Sequence, residues 1–430
     1  MKKLLLLMFT SLVMVAFVAC DSNYYESQID SADPYISNDE VCEDDEVAEE
    51  VVEIVYNISL EQRIAELMET RRYGGNRGLR QDHIRGLAIS VFTQDDMILE
   101  MTYGYANTET GLLVDADTVF EWGSITKLLV YVSAMQLYEQ GKLDLHADIF
   151  TYIQREDFPN IIYPITLHQL MHHSAGFNDA FDFEFMALTF GMPGEPVPTL
   201  ESVLMEASAS GIVRQRAVPG EHTWYGNYST ALAGYVVESV AGVPFYEYVH
   251  SNIFAPLGMY HTALRPDMSD NEWVLQQRDK IAIYGTRDMP FDHRMQILVY
   301  PAGAAVGTIS DLVRFARAIL PDENGESILF ANAETLAKLH PTIDDILNAP
   351  VCELGRTIFF NGFAVSLEQN NDLTYSRVIG HSGIVPGFIS HLFVDIDRGV
   401  GMVMSENTGL GISVGGRRPD LLFYAQPKHC

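Results

Sequence analysis

A serine and a lysine stand three residues apart in FEWGSITKLLVYVSAMQLYEQGKLDL (residues 120–145), at the mouth of a very apolar segment. Gly123-Ser124 supplies an N-terminal turn and Gly141 a C-terminal stop. Between them Leu128, Leu129, Val130, Val132, Ala134, Met135 and Leu137 cover nearly every face. That pattern predicts a buried helix. Lys127 follows Ser124 by one turn and shares its face. Burying an ammonium is costly unless it is paired or neutralised. A lysine of lowered pKa beside a serine hydroxyl is a general base next to its nucleophile. The spelling also fits a serine that only caps the helix and a lysine that snorkels to solvent.

Two more segments carry polar groups suited to the same chemistry. In WYGNYST (224–230), Tyr225-Gly226-Asn227 follows the Pro219-Gly220 turn and precedes a helical pattern, which puts it on a loop at a helix mouth. A tyrosine can relay a proton and an asparagine can orient a substrate amide, although an ordinary packed aromatic reads the same way. Tyr105-Ala106-Asn107 has a similar spelling but ends a strand pattern, so it reads as hairpin structure. In GHSGIVPGFIS (380–390), His381-Ser382-Gly383 runs into a strand and ends at the Pro386-Gly387 turn. Gly383 lets backbone approach a ligand, and His381 supplies a donor at the edge of the site.

Together and in this order, the three segments resemble the serine penicillin-recognising hydrolases. The branch they are most similar to holds class C β-lactamases and D-alanyl-D-alanine carboxypeptidases, with esterase and D-aminopeptidase relatives. The resemblance runs over about residues 60 to 408, through TVFEWGSITK, MQLYEQGKLDL, ITLHQLMHHSAGF, PLGMYHT and PAGAAVGTISDLVRFARAIL in family order. It implies an acyl-enzyme mechanism without a cofactor or metal. Ser124 would be the nucleophile and Lys127 its activator. Tyr225 would be the phenolate or proton relay, and Asn227 would bind the substrate amide. The backbone N–H groups of Ser124 and Ile384 would form the oxyanion hole. His381 stands where many relatives carry lysine. Lysine there is typical of class C β-lactamases, whereas His-x-Gly is familiar in carboxypeptidases, D-aminopeptidases and esterases, so the resemblance points away from a dedicated β-lactamase. The implied substrates are small molecules or peptidoglycan-derived peptides: D-alanyl-D-alanine-type peptides, D-amino-acid amides, esters or β-lactams. The alternative is a penicillin-binding receptor or surface scaffold without turnover. His168 and His172, four apart on a helix with His173 beside them, suggest a metal, but no Glu follows His168 as in zinc proteases. The resemblance makes this segment the wall beneath the site.

The elements that must hold these residues read as follows. GLAISVF (86–92) and MILEMTYGY (97–105) form an antiparallel hairpin across the polar turn 93–96. STALAGYVVESVAG (229–242) and SDLVRFARAIL (310–320) are the clearest further helices. TIFFNGFAVSL, GFISHLFVDID and GVGMVMSEN read as three strands near the end. Strands at both ends with helices between them predict an α/β (α+β) fold: an antiparallel β-sheet flanked by helices, with an inserted mostly helical lobe. SLEQRIAELMETRR, with Ser59 and Gln62 as a capping box, predicts a helix where order begins.

The chain has 430 residues and a formal charge of −31, from 58 acidic and 27 basic residues, which argues against nucleic acid as a partner. From Asp21 to Glu53 there are 13 acidic residues and no Lys or Arg, the composition of a disordered, self-repelling tether. Before it, Lys2, Lys3 and the apolar run Leu4–Ala19 lead to Cys20. Phe17-Val18-Ala19-Cys20 resembles a bacterial lipobox, with Phe17 in place of the usual leucine. Cys20 would then carry the lipid that anchors the protein to the membrane outside the cytoplasm, or the run would remain as an uncleaved anchor. The other cysteines, Cys42, Cys352 and Cys430, form neither a disulfide framework nor a metal spacing. The expected organisation is a signal over 1–20, a tether over 21–57, a hydrolase domain over 58–410 and a short tail over 411–430. That tail has only a short apolar patch, Leu421–Tyr424, where the family carries a long helix packed on the sheet. If that helix is missing, in a natural short form or a truncated product, one sheet face would be poorly covered.

Overall fold

The computed structural model describes residues 85–407, apart from 180–181, 285–289, 292–294, 351, 353–356 and 370–373. The expected Ser59 helix, Cys20, the tether and the 411–430 tail lie outside the described residues.

The hairpin near the start forms as β1 (Gly86–Thr93) and β2 (Met97–Asn107), and β2 pairs in turn with the two-residue β3 (Leu112–Leu113). Tyr105-Ala106-Asn107 ends β2, as expected of hairpin structure. Near the other end of the chain come β4 (Ile358–Phe360), β5 (Phe363–Gln369), β6 (Tyr375–Val385), β7 (Phe388–Asp395) and β8 (Val400–Glu406). One eight-stranded sheet results, in the order β4-β5-β6-β7-β8-β1-β2-β3. Its neighbouring strands are antiparallel, and β1 pairs with β8 from Leu87↔Glu406 to Thr93↔Val400. The first and last described strands thus close the sheet across its middle, as the sequence pattern predicts.

Alternation sorts the two faces of β1. Ala88 and Phe92 join the main core, while Ile89 forms a small cluster with Leu99 and Met402 on the opposite face. The main core is shared with a mostly helical lobe built on α1 (Lys127–Glu139), α2 (Leu167–Met171) and α3 (Asn227–Ala241). Every residue of α1 from Lys127 to Leu137 is buried, and Gly141 follows it at φ 69°, the left-handed stop that a glycine tolerates. Helix α4 (Ile309–Ile319) starts at Thr308, whose hydroxyl accepts the Asp311 N–H, and lies across β1, β7 and β8.

Two expectations are corrected. TIFFNGFAVSL is a hairpin, β4 and β5, rather than a single strand. Asn361 and Gly362 both have positive φ, 45° and 79°, as a two-residue hairpin turn of the primed type requires. The turn backs onto α1, since a Cβ at Gly362 would lie 1.7 Å from Tyr131 Cε2. His381-Ser382-Gly383 also lies within strand β6 rather than ahead of it.

A Gly362→Ala variant combines a disfavoured φ with overpacking against Tyr131. Urea unfolding is expected to show a loss of about 3 kcal/mol, and a change under ~0.5 kcal/mol would contradict this account of the turn.

Candidate active site

Ser124 sits in a 3-10 turn, Gly123–Thr126, that runs directly into α1. The turn is held from several sides. Trp122 N–H donates to the Ala305 carbonyl (2.8 Å), and the Thr126 hydroxyl bonds the Gly123 carbonyl (2.6 Å) while accepting Ala305 N–H (3.1 Å). Just before it, the Glu121 carboxylate accepts two bonds from the buried Arg278 guanidinium, at 2.9 and 2.6 Å.

The edge of β6 beyond its pairing with β5 comes down against this turn. The approach depends on two glycines. A Cβ on Gly383 would lie 1.8 Å from the Trp122 carbonyl oxygen, and one on Gly123 (φ 52°) would lie 2.9 Å from Ile384 N. The same missing Cβ of Gly383 would be 3.0 Å from Ser124 N. The backbone nitrogens of Ser124 and Ile384 are therefore drawn together where these two glycines allow main chain to meet main chain.

Lys127 is fully buried. Its Nζ lies 3.1 Å from Ser124 Oγ, 2.8 Å from Asn227 Oδ1 and 2.7 Å from the Ala302 carbonyl oxygen. The Tyr225 ring centroid is 5.0 Å away. Burial pulls the ammonium down to about 7, partly opposed by the negative charge of Asp179. Tyr225 OH donates to Ser124 Oγ at 2.7 Å, and burial pushes its phenol well up, so it stays protonated at rest. The sequence-identified Ser124, Lys127, Tyr225 and Asn227 thus form one connected hydrogen-bond network, with His381 packed beside Tyr225 (ring centroids 5.9 Å).

Three members of the site carry no mark in the motifs. Asp179 is buried, and its Oδ2 accepts the first two N–H groups of α3, Asn227 at 2.8 Å and Tyr228 at 3.1 Å. It does the work of an N-cap from a distant loop. Burial raises this carboxyl to about 6, against the pull of those two N–H groups and of Lys127. Gly226 must be glycine here, because a Cβ would meet Asp179 Oδ1 at 2.3 Å. His173, at φ 54°, is buried between Tyr225 (4.8 Å) and Phe359 (5.0 Å), and burial holds its pKa well below the usual value. Phe359 in turn stacks on Tyr225 at 5.4 Å. The third is the Ala302 carbonyl. His173 lies in ITLHQLMHHSAGF and Ala302 in PAGAAVGTISDLVRFARAIL, both segments of the family resemblance, whereas Asp179 falls just beyond the first.

The rings of His168 and His172 pack against each other at 4.1 Å, tilted by 36°. His172 Nδ1 bonds the His168 carbonyl (2.8 Å), and its Nε2 accepts Asn361 N–H (3.2 Å). Both ring nitrogens of His172 are thereby spent on backbone, which fits a wall that seats the β4–β5 hairpin rather than a metal ligand. Among the described residues no cluster of His, Cys, Asp and Glu could hold a metal ion.

A family model described as beta-lactamase matches residues 60–425. The chain belongs to the beta-lactamase family. Penicillin-binding protein 4 of Amycolatopsis lactamdurans is 26% identical over 266 residues, 60% of this chain and 66% of that protein. A protein named as putative penicillin-binding protein PbpX, from Bacillus subtilis, is 28% identical over 184 residues, 43% of this chain and 42% of that one. The matches thus span less than two thirds of these relatives' own lengths. Among solved structures, D-amino acid amidase from Ochrobactrum anthropi shares the fold, with TM-score 0.63 and 19% identity over 80% of this chain and 93% of that one. The antiparallel sheet with its helical lobe is therefore the fold of this hydrolase family.

Asp179→Ala removes the acceptor of two buried N–H groups, and chemical denaturation is expected to show a loss of about 2 kcal/mol. Asp179→Asn keeps an acceptor oxygen and should retain most of that stability. Equal losses in the two variants would show that the cap is not what Asp179 contributes.

Proposed function

We propose that this chain is a serine hydrolase that forms an acyl intermediate on Ser124 with small amides or esters. The observation that carries the reading is the bonding of Lys127. Two of its three partners, the Ala302 carbonyl and Asn227 Oδ1, can only accept. A neutral Lys127 spends its two N–H groups on them and turns its lone pair to Ser124 Oγ. With Tyr225 donating to Ser124, the hydroxyl proton of Ser124 points to Lys127.

On this reading Lys127 takes the Ser124 proton as Oγ attacks the carbonyl. The Ser124 and Ile384 N–H groups receive the oxyanion. Tyr225 protonates the leaving group, its phenolate being stabilised by the nearby Lys127 ammonium. Water then gives its hydroxyl to the acyl carbon and a proton to Tyr225, while Ser124 recovers its own proton from Lys127. Asn227 stays fixed by Lys127 and by the Asp179 cap, where it can orient the substrate amide. The apolar leader ending at Cys20 supports a lipid-anchored protein working outside the cytoplasm. Recovery in the membrane fraction that is lost on Cys20→Ala would test the anchor.

Purified protein is expected to hydrolyse a chromogenic ester and to lose at least about a thousandfold in kcat/KM on Ser124→Ala. Equal rates in wild type and variant would leave a penicillin-binding scaffold without turnover as the reading. The pH profile gives a second check. Only neutral Lys127 can accept a proton, so kcat/KM should rise with pH through an acid limb near the lysine's value of about 7. Asp179 favours the ammonium, so Asp179→Asn should move that limb to lower pH. A limb that stays in place, or moves up, would count against Lys127 as the base.

A further inference from the structure

We infer that His173 assists acyl transfer as a positioning residue acting through Tyr225. Its neutral imidazole steadies the charge left on Tyr225 when the phenol gives its proton to the leaving group. The inference rests on the acyl-serine reading above. Three observations meet at this residue. Its ring lies against Tyr225, whose hydroxyl bonds Ser124 Oγ, with centroids 4.8 Å apart and a tilt of 46°. Its backbone holds φ 54°, a left-handed setting uncommon outside glycine. That setting is tied to the site. The His173 carbonyl accepts the N–H of Trp224, the residue before Tyr225, at 2.9 Å, and the Ser174 carbonyl accepts Gly220 N–H at 2.7 Å. The side chain is 1% exposed, yet among the described residues neither ring nitrogen has a hydrogen-bond partner.

An imidazole so placed is a poor choice for packing alone. Burial, with the charges of Lys127, His381 and His172, holds its pKa well below the usual value, so the ring is neutral and carries one N–H and one lone pair. A buried polar group left unpaired costs stability, and a hydrocarbon ring of similar shape would avoid that cost. The unpaired state belongs to the resting site, in which Tyr225 is a neutral phenol. During the reaction the bond from the acyl carbon to the leaving oxygen breaks, and its electron pair goes to that oxygen. The oxygen takes the Tyr225 proton and departs as an alcohol. Tyr225 is then an anion in a buried pocket, and Lys127, 5.0 Å from its ring centroid, is an ammonium. The three N–H groups of that ammonium already face Ser124, Asn227 and Ala302. Of the other rings packed on Tyr225, Phe359 has no donor, and His381 places Nδ1 2.6 Å from the Ser382 carbonyl, which can only accept. The unspent N–H of His173 thus gains a negative neighbour only after the proton has moved. An interaction stronger in the charged state than at rest lowers the barrier to reaction.

The test is a pair of butyrate esters that differ in their need for a proton. The 4-nitrophenyl ester leaves as a stable anion, whereas the alkoxide of the 4-nitrobenzyl ester must be protonated. Both form the same acyl-Ser124, and kcat/KM reports that step. Rates are measured on the purified full chain and read as the benzyl-to-phenyl ratio, in which any unfolded fraction cancels. His173→Phe keeps a ring without its nitrogens. It is expected to unfold in urea no more easily than wild type, yet to lower the ratio by about tenfold or more, the worth of one hydrogen bond to a charged group. If that variant does not fold, His173→Leu gives the same reading. An unchanged ratio, with both esters slowed alike, makes His173 a packing residue and overturns this proposal alone. A ratio that Tyr225→Phe also leaves unchanged removes Tyr225 as the proton donor and this proposal with it. Cleavage that survives Ser124→Ala, or no cleavage of either ester, overturns the acyl-serine reading as a whole.

Discussion

A lysine sealed from water must be given acceptors or must surrender its proton, and the structure is arranged around that requirement. Lys127 cannot leave α1, whose other faces are packed. Its partners therefore come to it: a carbonyl from the segment before α4, the first side chain of α3, and the serine one turn ahead. Each arrives from a different stretch of chain. The contact between α1 and α3 that aligns Asn227 also carries the Tyr131–Thr230 hydroxyl pair at 2.9 Å. Removing any of these supports would leave a buried charge or a buried donor without compensation, which costs more than most single packing defects.

Bringing a sheet edge to the same point is a steric problem rather than an electrostatic one. Strand β6 and the Ser124 turn meet main chain to main chain, at a spacing that side chains on Gly123 or Gly383 would forbid. The sheet can offer that edge because β5 pairs with β6 only as far as Gly380, leaving residues 381–385 uncovered on that side. The β4–β5 hairpin then folds back over the helical lobe. His172 holds its Asn361 N–H, and Phe359 lies on Tyr225. The aromatic layer of Tyr225, His173, Phe359 and His381 excludes water from Lys127, which is what lowers its pKa in the first place.

Much of this was legible from residue types. Burial of α1 followed from apolar residues on every face, and the lysine within it stood out because its one local polar neighbour on that face was Ser124. The helix mouth at Asn227 and the β1–β2 hairpin followed from turn residues beside periodic runs. The split of TIFFNGFAVSL at Asn361-Gly362 had its signal in the strongest hairpin dipeptide, obscured by apolar residues on both sides.

Other features could not be read that way, for definite reasons. A carbonyl such as that of Ala302 has no spelling, since every residue carries one. Asp179 caps a helix that begins 48 residues later, so its purpose exists only once the two segments are adjacent. The state of His381 depends on the contact of its Nδ1 with the Ser382 carbonyl and on the burial of its ring beside Tyr225 and Phe359. Sequence determined which side chains could do the chemistry, because chemistry resides in functional groups. Tertiary structure alone decided their protonation and their partners, because desolvation and hydrogen bonding depend on what surrounds a group and not on its neighbours along the chain.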